Sequence, residues 1–131
     1  MRSGDLERTT LETSVSASWD LDGTGLCEIN TGIGFFDHML TALSRHSGIS
    51  MNIQCNGDLQ VDAHHSVEDT GIVLGQALAE ALGDKSGIAR YGSAYIPMDE
   101  ALSFCALDLS NRPYLVFQGS FTNDMIGSYD A

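Results

Sequence analysis

Positive charge is scarce in this sequence. Six Lys and Arg stand against 18 Asp and Glu, a formal net charge of −12. A polyanion such as nucleic acid, or an anionic membrane surface, is therefore a poor partner. No long apolar run is present, which excludes a membrane-spanning helix from the sequence pattern. The first residues, Met1 to Thr10, carry charges and no apolar core of a secretory leader, so a cytoplasmic location is expected. Cysteine is limited to Cys27, Cys55 and Cys105, an odd number at no metal-ligand spacing. They read as reduced and mostly buried thiols. What the chain does have is 131 residues, 43% hydrophobic and 18% charged, the composition of one small folded domain rather than a disordered segment.

The chemistry concentrates in Asp62-Ala-His-His-Ser-Val-Glu-Asp69. After it, Ile72, Val73, Leu74, Ala77, Leu78 and Ala81 recur at helical spacing, predicting a helix from about 66 to 82 that stops at Gly83. His64 and Glu68 are four apart and His65 and Glu68 three apart, so all three can face one side of a helix start. Two imidazoles and a carboxylate are good ligands for a divalent first-row metal. A solvated helix start accounts for the same residues without a metal, since acidic groups are favoured near the positive end of the helix dipole. A second helix, about 35 to 47, opens in Gly32-Ile-Gly-Phe-Phe-Asp-His-Met-Leu40, with His38 at its start and His46 two turns on.

The remaining pattern is strand-like. Residues 8–30 read as a hairpin around the turn Asp20-Leu-Asp-Gly-Thr-Gly25. Ile49 to Gln54 reads as a strand, and Leu59 and Val61 as a short one before the histidine pair. Three more strands are expected at Ala94–Ile96, Leu102–Leu109 and Tyr114–Phe121. The order is strands, helix, strands, helix, then strands again, which looks like the opening of a second round. On this reading residues 1–92 form a first half-repeat and 93–131 the strands of an incomplete second one. An incomplete repeat leaves an apolar sheet face uncovered.

Five runs, in order and spacing, resemble the imidazoleglycerol-phosphate dehydratase family of histidine biosynthesis. They are Arg8-Thr-Thr-Leu-Glu-Thr13, Thr31-Gly-Ile-Gly-Phe-Phe-Asp-His-Met-Leu40, Asp62-Ala-His-His-Ser-Val-Glu-Asp-Thr70, Pro97-Met-Asp-Glu-Ala-Leu102 and Asp108-Leu-Ser-Asn-Arg-Pro-Tyr-Leu115. The resemblance covers nearly the whole chain and implies an α+β fold, a duplicated unit of sheet plus helices. It also implies two Mn ions per complete site. His64 and Glu68 would ligate one, His38 and His65 the other. Neighbouring helical residues differ by about 100° in direction, so adjacent histidines can serve different ions. Glu12 and His46 would lie at the substrate, with Glu12 and Glu68 as the catalytic carboxylates. Arg90 and Arg112 would contact the phosphate of a small-molecule substrate, for which the planar guanidinium fork is suited. Taken alone, each Arg reads as a surface charge near a turn.

The implied reaction removes water from imidazole glycerol phosphate to give imidazole acetol phosphate, by way of a metal-bound imidazolate that expels the hydroxyl. A carboxylate, for which Glu12 is the candidate, would then take the C–H proton. The family forms a homo-oligomer of 24 subunits with shared sites, and completes each metal site with a later His-His-x-x-Glu motif that this chain lacks. With two ligands per ion remaining, the chain by itself is expected to be inactive. One departure is minor: Asn111 stands where the family has Gly, and Asn tolerates the left-handed turn conformation. Two other readings compete. One is a non-catalytic metal-binding or assembly module of the same family. The other is a zinc hydrolase built on His64, His65 and Glu68, for which no His-Glu-x-x-His motif or nucleophile elbow is present.

Overall fold

The computed structural model describes residues 1–130. It is a mixed α+β architecture in which residues Met1–Asp84 and those from Phe121 onward form one compact unit, and Lys85–Ser120 a second.

The first unit is built on a four-stranded sheet. Strands β1 (Ser3–Thr9), β2 (Thr13–Asp20), β3 (Cys27–Asn30) and β4 (Ser50–Gly57) lie in the order β1-β2-β4-β3. Helix α1 (Gly34–Ser47) connects β3 to β4, and α2 (His64–Leu82) follows β4. Alternation puts Val15, Ala17 and Trp19 of β2 and Met51, Ile53 and Cys55 of β4 on one face, all buried. They meet Val73, Ala77 and Ala81 of α2 and Leu40 of α1 in a single core. Ile53, Val73 and Ala77 are wholly inaccessible, and each large side chain so buried contributes about 1.5–3 kcal/mol. The Trp19 indole N–H donates to the Leu74 carbonyl at 3.0 Å, which satisfies its one polar atom. Helix α2 crosses so close to β1 that a Cβ at Gly4 would run into the Ala77 carbonyl oxygen. Just beyond this contact α2 stops as anticipated: the Gly83 N–H bonds back to the carbonyls of Ala79 and Glu80.

Two details differ from the sequence pattern. Residues 8–30 are not one hairpin. The hairpin is β1–β2, turning at Thr10–Glu12, and β3 runs parallel to β4 on the far edge. The reason is α1: a strand that feeds a helix and returns to the same sheet lies parallel to its successor. Leu59 and Val61 belong to a turn, closed by Val61 N–H to Asp58 O at 2.7 Å, rather than to a strand. Both side chains are exposed, and no sheet neighbour awaits them. Helix α2 also begins at His64, two residues earlier than the apolar spacing indicates, because the polar first turn carries no periodic signal.

The second unit is a two-stranded antiparallel sheet, β5 (Tyr91–Met98) with β6 (Ala101–Asp108). Asp99 takes φ +50 in the two-residue turn between them, and Tyr95 stacks on Phe104 across the ladder with ring centres 4.5 Å apart. Every residue of both strands is exposed, including Tyr95, Ile96, Leu102 and Phe104, so this sheet has an uncovered apolar surface. The strand expected over Tyr114–Phe121 does not form: among the described residues no strand pairs with its backbone. Cys55 is buried and Cys27 half-buried as expected of structural thiols, but Cys105 lies exposed on β6, in a sheet of two strands. Asn111 adopts φ +62, the left-handed conformation anticipated for it, and Lys85 donates to its side-chain oxygen.

Back in the first unit, a short hairpin of β7 (Met125–Ile126) and β8 (Tyr129–Asp130) places the Tyr129 ring 5.2 Å from Phe35 and 6.3 Å from Phe36 of α1. Among the described residues no helix is long and apolar enough to cross a membrane.

Candidate functional site

The two helices of the first unit open into one cleft of about 870 Å3. Gly32, Ile33 and Gly34 form its wall at the start of α1. Asp62, His64 and Glu68 form the wall at the start of α2, and Tyr129 of β8 borders it. Neither helix is capped by its own N-cap side chain, Ile33 or Ala63. Instead the Asp62 carboxylate accepts the His64 N–H at 2.8 Å, and Asp37 reaches back to accept from the Thr31 N–H and hydroxyl at 2.8 and 2.6 Å. Three other depressions lie along the sheet, lined by residues such as Ser16, Asn52 and Gln54, and none is lined by histidine.

The first turn of α2 pairs His64 with Glu68 and sets His65 apart from them. His64 Nε2 lies 3.9 Å from Glu68 Oε2, one helical turn on, and both side chains are exposed. The two imidazole rings are 5.6 Å apart and nearly perpendicular, at 69°. His65 points elsewhere: its Nδ1 lies 2.9 Å from Asp58 Oδ2. That hydrogen bond raises the proton affinity of His65. Burial opposes the rise, and the charges of Asp58, Glu12 and Asp62 add to it. With Nδ1 engaged, Nε2 is the ring nitrogen left to bind a metal, the usual arrangement when a carboxylate orients a ligating histidine. Asp58 is a residue that sequence reasoning missed, because it lies outside the motif that begins at Asp62 and only the fold brings it to His65.

His38 and His46 stand on α1, both exposed, one near its start and one in its last turn. Among the described residues no three His, Cys, Asp or Glu side chains come together as a metal-holding set. What this chain itself supplies is the pair His64–Glu68 and, separately, the oriented His65. Their chemistry suits a borderline divalent cation; their number within one chain is short of a full coordination shell.

Glu12 sits exposed on the turn between β1 and β2, and its negative charge is felt at His65. The turn itself is held from α2. Asp69, 6% exposed, accepts a hydrogen bond from the Thr13 hydroxyl and pairs with Arg8, and the Thr10 hydroxyl lies 3.5 Å from the same carboxylate. The Thr13 bond is the largest of the effects on Asp69; burial opposes it, but the carboxyl stays below its ordinary range. Arg90 and Arg112 belong to the second unit. Arg90 grips Asp108 through two nitrogens, at 2.7 and 3.1 Å, and lies over the Tyr91 ring. Asp108 is thereby held below the usual carboxylate range. Arg112 is exposed.

Residues 31–131 match the family model described as imidazoleglycerol-phosphate dehydratase. The chain belongs to this family. A dehydratase of this name from Cereibacter sphaeroides is 58% identical over 130 residues, 99% of this chain and 67% of that protein. One from Streptococcus thermophilus is 55% identical with the same coverage. Among solved structures, the imidazoleglycerol-phosphate dehydratase of Staphylococcus aureus superposes with a TM-score of 0.85 at 43% identity, over 98% of this chain and 70% of that one. The chain thus spans about two thirds of the length of the curated relatives it matches. Imidazoleglycerol-phosphate dehydratases are hydro-lyases of histidine biosynthesis, and the expected family and α+β fold class both stand.

Proposed function

We propose that this protein acts in the elimination of water from imidazole glycerol phosphate, yielding imidazole acetol phosphate, with its first-unit cleft as part of the reaction site. The observation that carries the reading is the start of α2, where His64, Glu68 and a carboxylate-oriented His65 stand within one turn and Glu12 lies close enough for its charge to act on His65.

The residues suit manganese. His64 and Glu68 would hold one ion and His65, with His38, a second. Bound there, the cations would supply positive charge that makes the substrate's ring N–H more acidic. The protein's own groups do the rest. Asp58 fixes the His65 ring so that Nε2 is the donor. Glu12, exposed and without a salt-bridge partner among the described residues, is free to take the proton from the carbon adjacent to the one that loses hydroxyl, and to deliver a proton to the latter when the enol becomes the ketone. His46 would contact substrate, and Arg90 and Arg112 would engage its phosphate as planar donors. Because each ion has two ligands from this chain, we also propose a homo-oligomer in which further ligands complete the sites. An acidic enzyme of this kind fits the cytoplasm.

The test is turnover of imidazole glycerol phosphate by the Mn-loaded homo-oligomer, its metal-stripped form and Glu12→Gln; Mn bound with no turnover in any form would favour the non-catalytic metal-binding module instead. Metal removal is expected to abolish product, and E12Q to lower kcat by about 100-fold or more, the usual contribution of a general base. Undiminished turnover after stripping would overturn the role of the metal, and undiminished turnover in E12Q the role of Glu12.

A further inference from the structure

The tip of the turn that carries Glu12 has little to hold it in place. Leu11 is fully exposed and Glu12 is exposed. A turn so placed would sample many conformations unless tied from below. The tie is a chain of hydroxyls. Thr10 Oγ1 accepts the N–H of Glu12 at 3.2 Å and the N–H of Thr13 at 3.0 Å, which sets the backbone of the turn. Thr10 Oγ1 lies 3.2 Å from Thr13 Oγ1, and Thr13 Oγ1 donates to Asp69. Asp69 is one residue beyond Glu68 and four beyond His65 on α2, so its carboxylate is rigidly related to the histidine pair. Arg8, on β1 just before the turn, pairs with the other oxygen of Asp69. The approach of α2 to this end of the sheet is close: Gly57 is the register partner of Thr13, and a Cβ there would strike Ser66 Oγ on the first turn of α2.

We propose that Asp69 is a positioning residue, which acts through Thr13 and Thr10 to hold the β1–β2 turn so that the Glu12 carboxylate is presented to the His65 side of α2. The inference rests on the reading of Glu12 as the proton-transfer group. One helix thereby carries both the metal-binding side chains and the anchor for the base. Their spacing is then set by α2 itself rather than by the freely exposed tip of the turn. The bond counts agree with this arrangement. Thr13 donates its one hydroxyl proton to the acceptor-only carboxylate, Thr10 donates its own to Thr13 Oγ1, and the two Thr10 lone pairs are left for the two turn N–H groups.

The decisive variants are Thr13→Val, which keeps shape and removes the hydroxyl, and Thr13→Ser, which restores it. In the Mn-loaded enzyme, T13V is expected to lower kcat by about 10–100-fold, the effect of a small misplacement of a reacting group. KM should stay within about twofold, as for an interaction felt in the transition state. Mn affinity should be unchanged, since His64, His65 and Glu68 are untouched. In the metal-free protein, hydrogen exchange at the amides of Glu12 and Thr13 should accelerate, and T13S should recover both exchange and kcat. If T13V does not fold, Thr10→Val and Thr10→Ser give the same comparison from the solvent side of the chain. Unchanged exchange, or unchanged kcat with faster exchange, would overturn the proposal. Full activity in E12Q would instead overturn the role of Glu12, independently of what T13V does to exchange.

Discussion

Asp58 Oδ2 lies 2.9 Å from His65 Nδ1, an engagement that joins the turn after β4 to the first turn of α2 and determines which nitrogen of that histidine is free. Asp58 is itself largely buried, with a side-chain exposure of 15%, so the pair is not an incidental surface contact. In Asp58→Asn the amide can donate to Nδ1 and favour the wrong tautomer. Mn affinity measured by titration is expected to fall about 10–100-fold, the usual effect of losing an orienting partner. An unaltered affinity would show that His65 is held some other way.

The same contact has a pH signature. Pairing with Asp58 raises the His65 pKa above its ordinary value of 6.5, so the metal-free protein gains stability from it below pH 6.5 and loses that gain as pH rises through the higher folded value. Cation binding runs in the opposite sense, because the ring must lose its proton to become a ligand. Mn affinity should therefore climb with pH through this range. Proton NMR titration of the His65 ring in the metal-free protein should place its midpoint above 6.5. In Asp58→Asn the midpoint should move down.

Asp69 behaves with the other sign. Its pKa is lowered from 3.8, chiefly by the Thr13 hydrogen bond, so its contribution to stability is present above that value and is lost as pH falls through the lower folded one. Asp69→Asn should cost about 2 kcal/mol at neutral pH, in line with hydrogen bonds to charged groups. The gap between the variant and the parent in urea unfolding should shrink toward zero in strong acid. A gap independent of pH would mean that the carboxylate charge is not what matters.

Close packing of α2 on β1 predicts a cost at Gly4. An added Cβ there meets backbone, the Ala77 carbonyl, which cannot turn aside as a side chain would. Gly4→Ala is expected to destabilise by about 1–3 kcal/mol or more, as for overpacked cores. Thermal unfolding checks this, with Gly71→Ala as the control, since a Cβ at Gly71 meets nothing.

Sequence alone determined the elements whose signal is local. Apolar side chains at helical spacing marked α1 and α2, Gly83 marked where α2 stops, and five ordered motifs marked the family, because each depends on residues within a few positions of one another. Tertiary structure decided whatever depends on a distant partner. Whether Cys27–Asn30 turns back on β2 or runs beside β4, and whether Leu59 and Tyr114 join strands, is a matter of which neighbour offers free hydrogen-bonding groups. The orientation of His65 by Asp58 and the anchoring of the Glu12 turn by Asp69, 56 positions along the chain from Thr13, belong to the same class. A carboxylate carries no mark in the sequence of the group it will meet; only the folded chain brings the two within hydrogen-bonding distance.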